Sequence, residues 1–161
     1  NLFLSLGHTN MILLINPKTK KILWKLHDKL FHQHDVDIIN SEEIAIFNNN
    51  RIFANQDQVY KNNEIMVYNF TKDSLSSPYE EILTELDIRT INQGLYEITD
   101  YGVLVEEQNS GRYVFFDKNK EVIFEYINKY KNDIFQVHWS RLITDNEKIK
   151  IIRSKFKNEF K

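Results

Sequence analysis

The chain has 161 residues, no cysteine, four glycines and two prolines, with hydrophobic, aromatic and charged shares of 42%, 13% and 27%. So much apolar and aromatic residue excludes a disordered chain, and the lack of cysteine excludes disulfide frameworks, thiolate zinc sites and cysteine nucleophiles. No apolar run approaches the ~18 residues of a membrane span, and a net charge of −2 gives no global attraction for a nucleic acid.

The pattern in chain order is short strands and turns. Met11 to Ile15 is an apolar run. Asn16-Pro17-Lys18-Thr19-Lys20 is a turn, because proline presets φ and asparagine bonds its own backbone. Ile22 to Leu26 resumes as a strand. Asp35 to Ile39 and Ile44 to Phe47 form a hairpin across Asn40-Ser41-Glu42. Asn48 to Asn63 is polar and irregular and reads as a long loop. Glu64 to Phe70 is a strand, Thr71 to Pro78 a turn region, and Glu81 to Asp87 a further strand. Gly94 to Ile98, Val103 to Glu107, Arg112 to Phe116 and Glu121 to Tyr126 are four strands joined by tight turns, an antiparallel meander. Val137 to Ile143 reads as a strand. The end is either a hairpin or, as favoured here, a helix: Thr144 and Glu147 have capping-box spacing, and Ile149, Ile152, Phe156 and Phe160 recur at helical spacing.

The strand-turn-strand unit repeats. Ile15, Tyr68 and Phe116 anchor equivalent units about 50 residues apart, the period of a β-propeller blade. One four-stranded sheet cannot bury both faces alone, so such sheets pack face to face around an axis. The fold class is therefore all-β: a propeller segment of about three four-stranded antiparallel blades, with a short C-terminal helix. The units are roughly 1–34, 35–92 and 93–143, followed by 144–161. Aligning Ile39, Ile98 and Ile143 puts His34, Gln93 and His138 at one position near the axis-lining strands.

Several segments then point to a family. They are His32-Gln33-His34-Asp35 with Ile46-Phe47-Asn48-Asn49; Gln93-Gly94-Leu95-Tyr96-Glu97 with Val105-Glu106-Glu107-Gln108-Asn109 and Gly111-Arg112; Ile123 to Asn128 with Trp139-Ser140-Arg141; and Leu14 to Thr19 with Trp24. In this order, from about Gly7 to Arg141, the set resembles the six-bladed β-propellers of the arylsulfotransferase family. The resemblance implies transfer of a sulfuryl group from an aryl sulfate to a phenol, through a transiently sulfurylated histidine and without a nucleotide or other cofactor. It implies that other histidines and an arginine bind the sulfate oxygens, and His34 with Arg51 is similar to such a pair. It also implies a periplasmic or extracytoplasmic place, which the residues themselves do not fix. The sulfurylated histidine is not matched by the resemblance to one position here.

Sulfuryl transfer needs negative oxygens held in line between nucleophile and leaving group. A neutral imidazole can attack, and guanidinium and imidazole donors suit the oxygens. The residues expected to act are His34, Arg51 and His138, with Gln93 and His32 as substrate-binding neighbours. Each has a plainer reading. His34 could be a channel-packing residue, and His32 shares its face. His138 beside Trp139 reads rather as a core histidine, Arg51 as a surface residue, and His8 and His27 as solvated. Glu106 and Glu107 point to opposite faces of one strand, so one is solvated or turn-bonding. No tight ligand spacing supports a metal. The basic stretch Lys148, Lys150, Arg153, Lys155, Lys157 and Lys161 reads as the solvated face of a helix docked by Ile149, Ile152 and Phe156. The alternative to an enzyme is a noncatalytic propeller that binds a small ligand or a protein. Three blades do not close a ring, so the chain is expected to be the C-terminal portion of a longer protein, or two copies pair three with three.

Overall fold

The computed structural model describes residues 1–52, 58–59 and 61–156. Its elements in chain order are β1 (Leu2–Leu6), β2 (Met11–Asn16), β3 (Lys21–Leu26), β4 (His34–Ile38), β5 (Glu43–Asn48), β6 (Arg51–Ile52), β7 (Gln58–Val59), β8 (Glu64–Asn69) and β9 (Ser74–Ser76). Helix α1 (Glu80–Glu85) follows, then β10 (Leu95–Ile98), β11 (Gly102–Glu107), β12 (Arg112–Asp117), β13 (Val122–Ile127), β14 (Lys129–Tyr130), β15 (Asp133–Ile134) and α2 (Asn146–Lys155). Single 3-10 turns, Gly7–Thr9 and Gln108–Ser110, follow β1 and β11.

Three antiparallel sheets carry the fold, in the orders β1-β2-β3, β4-β5-β8-β9 and β10-β11-β12-β13; β6-β7 and β14-β15 are short separate hairpins. The first sheet thus has three strands where four are expected, and it includes β1, ahead of the Met11 run. The turns are made as expected. Asn16 Oδ1 accepts from the Lys18 and Thr19 N–H groups (3.0 and 3.1 Å). Asp117 Oδ1 does the same for Asn119 and Glu121 (2.8 and 3.0 Å).

The second sheet is covered on both faces, and β5 shows why its sequence is continuously apolar. Ile44 and Ile46 join a core with Ile12, Leu30, Met66 and Tyr68, against which Phe3, Trp24 and Leu26 of the first sheet pack. Ala45 and Phe47 point the other way, with Ile65 of β8, into a core with Val103, Val105, Val114 and Phe116 of the third sheet. A strand buried on both faces loses the alternation of a half-exposed one. Near the sheet edges, β4 lies against both β1 and β10.

Three expected elements differ. Glu81 to Asp87 is not a strand but lies mostly in α1, because Ile82, Leu83 and Leu86 have helical rather than alternating spacing. Ile82 and Leu83 enter the core, Leu86 packs against it, and Glu80 and Glu81 favour the first turn. Val137 to Ile143 pairs with no strand among the described residues; Val137 N–H donates to Gln108 O (3.3 Å), and side-chain carboxylates hold two further N–H groups. Leu142 N–H donates to Glu97 Oε2 (2.8 Å), and Ser140 N–H to Glu106 Oε2 (2.7 Å). The C-terminal helix is present, capped by Asp145 rather than Thr144: its carboxylate accepts from the Glu147 and Lys148 N–H groups (2.9 and 3.1 Å). Its apolar stripe is not docked, since Ile152 and Phe156 are exposed. Phe160, Lys157 and Lys161 lie outside the described residues.

Candidate functional site

The polar residues of the chain gather where the sheets join, at the ends of β1, β5 and β11. The connections between sheets carry consecutive backbone N–H groups with no strand to bond, and buried side chains satisfy them. Between the first and second sheets, Phe31 N–H donates to Asn48 Oδ1 (2.8 Å) and His32 N–H to Asn10 Oδ1 (2.7 Å). Between the second and third, Arg89 N–H donates to Glu107 Oε1 (2.7 Å) and Thr90 N–H to Asn63 Oδ1 (2.5 Å). The acceptors occupy matching places. Asn48 and Glu107 end the second strands of their sheets, and Asn10 and Asn63 precede β2 and β8.

His32, His34 and Arg51 meet at the first of these junctions. The His32 and His34 rings lie edge to face, their centroids 4.9 Å apart, and the His8 ring is edge-on to His32 at 5.1 Å. His32 is buried, and Arg51 is only 8% exposed. Burial lowers the His32 pKa to about 4, helped by His34, by the Arg51 guanidinium and by His8. His32 is therefore a neutral imidazole at neutral pH. Arg51 is not the surface residue its polar surroundings suggest. Its N–H donates to Phe31 O (3.2 Å), which ties it to the connection just ahead of His32.

Asn49 orients His34. Its Nδ2 donates to Thr90 O and Gln93 O (3.0 and 2.6 Å), so its Oδ1 is the atom that meets His34 Nδ1 at 2.7 Å. An amide oxygen only accepts, so Nδ1 carries the proton. In neutral His34 the lone pair is then on Nε2, the form a nucleophilic imidazole needs.

The other expected residues are placed differently. The Gln93 side chain is exposed, and only its carbonyl reaches the His34 network, through Asn49. A one-residue bulge explains the shift: Asp35, at φ 51°, is skipped in the β4–β5 ladder. His34 opposes Phe47 and Leu95 opposes Glu106, so the strand counterpart of His34 is Leu95 rather than Gln93. His138 is exposed and is not the core histidine its neighbours suggest; Trp139 beside it is 76% exposed. Glu106 and Glu107 are both buried and bonded, Glu106 to Ser140 and Gln108, Glu107 to Arg89 and Arg112. His27 bonds Asp28 at a turn.

Two features beside the histidines carry no single-residue signal in the sequence. Asp35 is desolvated, and burial together with Asp37 raises its pKa to about 6, against the pull of Arg141. The Asn48-Asn49-Asn50 run is wholly buried. Its signal is an amide run placed directly after a fully apolar strand. Among the described residues no group of three or more histidine or carboxylate side chains could hold a metal ion, and no helix is long and apolar enough to cross a membrane.

Searches of curated proteins and of solved structures find no match. The family model described as arylsulfotransferase (ASST) matches residues 1–129. That span holds all three sheets and the His32–His34–Arg51 junction, and the chain belongs to the arylsulfotransferase (ASST) family, with an arylsulfotransferase-like function.

Proposed function

We propose that the junction of the first two sheets is a sulfuryl-transfer site in which His34 Nε2 is the nucleophile. The observation that carries this reading is the Asn49 bond, which leaves Nε2 with the lone pair. An aryl sulfate places its sulfur at Nε2. The N–S bond forms as the S–O bond to the aryl oxygen breaks, and the phenolate leaves with that electron pair. An acceptor phenol then attacks the sulfur, its proton passes to solvent or to the departing phenolate, and the N–S electron pair returns to Nε2. Arg51 and the ring N–H of neutral His32 stabilise the sulfuryl oxygens. Gln93 and His138, both exposed, are given no contact with the sulfuryl group in this reading.

The same reading takes the three sheets as consecutive blades of a six-bladed propeller. The matched side-chain bonds at the two junctions support it. The test is incubation with a nitrophenyl sulfate and a second phenol. Acceptor-dependent release of nitrophenol, lost in His34→Ala and reduced tenfold or more in Arg51→Ala, is the expected result. No transfer by the native chain leaves a noncatalytic ligand-binding propeller.

A further inference from the structure

The C-terminal helix α2 has an apolar stripe with cations along both of its flanks. At 3.6 residues per turn, Ile149, Ile152 and Phe156 fall within about 60° of arc. Ile152 and Phe156 are 41% and 40% exposed, and Ile149 is half-buried. Lys148 and Lys155 lie along one flank of the stripe, and Arg153 and Lys150 along the other. All four are exposed. Glu147, Ser154 and Ile151 occupy the far side. Glu147 pairs with Lys150 (2.7 Å), and Lys148, Arg153 and Lys155 have no ion pair among the described residues. The helix is therefore strongly positive in a chain whose net charge is −2.

A protein groove and a lipid surface make different demands on such a helix. Long cationic side chains beside an apolar stripe lay their stems on apolar surface and keep their charged ends in water or on phosphate. An apolar groove of this chain, about 240 Å³, ends at Leu142, just ahead of the helix cap Asp145. It is lined by Leu104, Tyr113, Phe124 and Tyr126, carries Arg141 and holds no carboxylate. Docking there would bury the flanking cations beside a further cation, which costs more than the stripe gains. An anionic lipid surface takes both features together: the acyl boundary receives the stripe and the phosphates receive the cations. A second observation lies at the start of the helix. Tyr101, in the β10–β11 turn, is 62% exposed and shares a cleft with Thr144 and Asn146. A tyrosine, with its apolar ring and polar tip, suits a headgroup layer.

We propose that α2 lies in the plane of an anionic lipid surface, with Ile149, Ile152 and Phe156 in the acyl boundary and Lys148, Lys150, Arg153 and Lys155 on lipid phosphates. The helix has 10 residues, against the roughly 20 that cross the hydrocarbon, so it lies on the surface rather than through it. Binding is reversible and salt-sensitive, because so short a stripe holds little without its cations. The proposal is independent of the sulfuryl-transfer reading, since no residue of the His34 site takes part.

The test is flotation of the full chain with vesicles of phosphatidylcholine alone, or of phosphatidylcholine and phosphatidylglycerol in equal parts. The chain is expected to float with the anionic vesicles at low salt, about tenfold or more weaker with the neutral ones, and not at high salt. Lys148→Gln/Arg153→Gln is expected to weaken anionic binding about tenfold or more. Ile152→Ser is expected to remove most of it. Ile151→Ser, at a 55% exposed position on the far side, is expected to keep native binding. The substituted side chains are exposed, so the β circular dichroism of every variant is expected to be native. No binding to anionic vesicles, equal binding to neutral ones, or equal losses in Ile151→Ser and Ile152→Ser overturns the proposal. Binding to a DNA duplex that Ile152→Ser leaves intact, without vesicle binding, also overturns it and assigns the cations to a nucleic acid.

Discussion

Asn49 is the residue on which the His34 site turns. It accepts from His34 and donates to two backbone carbonyls. Asn49→Leu removes the acceptor of the His34 ring N–H and the donor to Gln93 O, while Thr90 O keeps its bond from Asn63 Nδ2; the expected loss is about 1–3 kcal/mol by urea titration. Asn49→Asp keeps the acceptor for His34 and loses the donors, so it is expected to fall between. His32 and Asp35 make opposite contributions to acid stability. His32 is lowered to about 4, so the unfolded chain takes up its proton first, and stability falls as pH drops from about 6.5 toward 4. Asp35 is raised to about 6, so the folded chain holds its proton longer, and stability falls as pH rises from about 4 to 6. Between pH 4 and 6 the two slopes oppose each other. Asp35→Asn is expected to raise stability at pH 7 by about 1 kcal/mol after solvent screening and to steepen the acid loss. His32→Asn is expected to leave a chain that becomes less stable as pH rises through that window. Equal pH profiles for the native chain and both variants would contradict this assignment. The sequence itself brings His32 and His34 forward by their alternation on one strand face. Arg51 is brought to them by the family resemblance and not by its own surroundings, because a polar loop reads as solvated whether or not its amides are used internally.

Among the elements, β5 and its neighbour β8 govern the packing, since each supplies both cores. Phe47 is fully buried between the second and third sheets. Phe47→Ala is expected to cost about 3–5 kcal/mol, whereas Ile38→Ala, at a 70% exposed position, is expected to change stability by less than about 0.5 kcal/mol. A Cβ at Gly94 would run into the Phe47 ring, and its φ of 107° disfavours any L residue. Gly94→Ala is therefore expected to be destabilising by chemical denaturation, and Phe47→Leu to relieve part of that loss. The strands were legible because turn residues bracket apolar runs, as at Asn16-Pro17 and Asp117 to Lys120. Helix α1 was not, because a six-residue helix offers less than two turns of periodicity. The Val137 to Ile143 stretch misled for another reason. It has strand composition, but Glu97 and Glu106 hold its N–H groups, and composition does not say which acceptor a backbone finds.

For the whole molecule, three sheets of three, four and four strands stack in chain order, and the ASST family match spans all of them. The all-β class and the meander of the third sheet followed from periodicity. The number of strands in the first sheet did not, because β1 precedes the first clear turn. The bulge at Asp35 defeated the counting that equated His34 with Gln93, since a repeat aligned by spacing does not register one inserted residue. Function now rests on a specific claim, that the family's chemistry uses His34 at Nε2. The most direct measurement is peptide mass spectrometry of the chain quenched during turnover of an aryl sulfate without acceptor. The account predicts a sulfuryl adduct on His34, absent in His34→Ala and discharged when phenol is added. An adduct on another histidine, or unchanged transfer in His34→Ala, would contradict it.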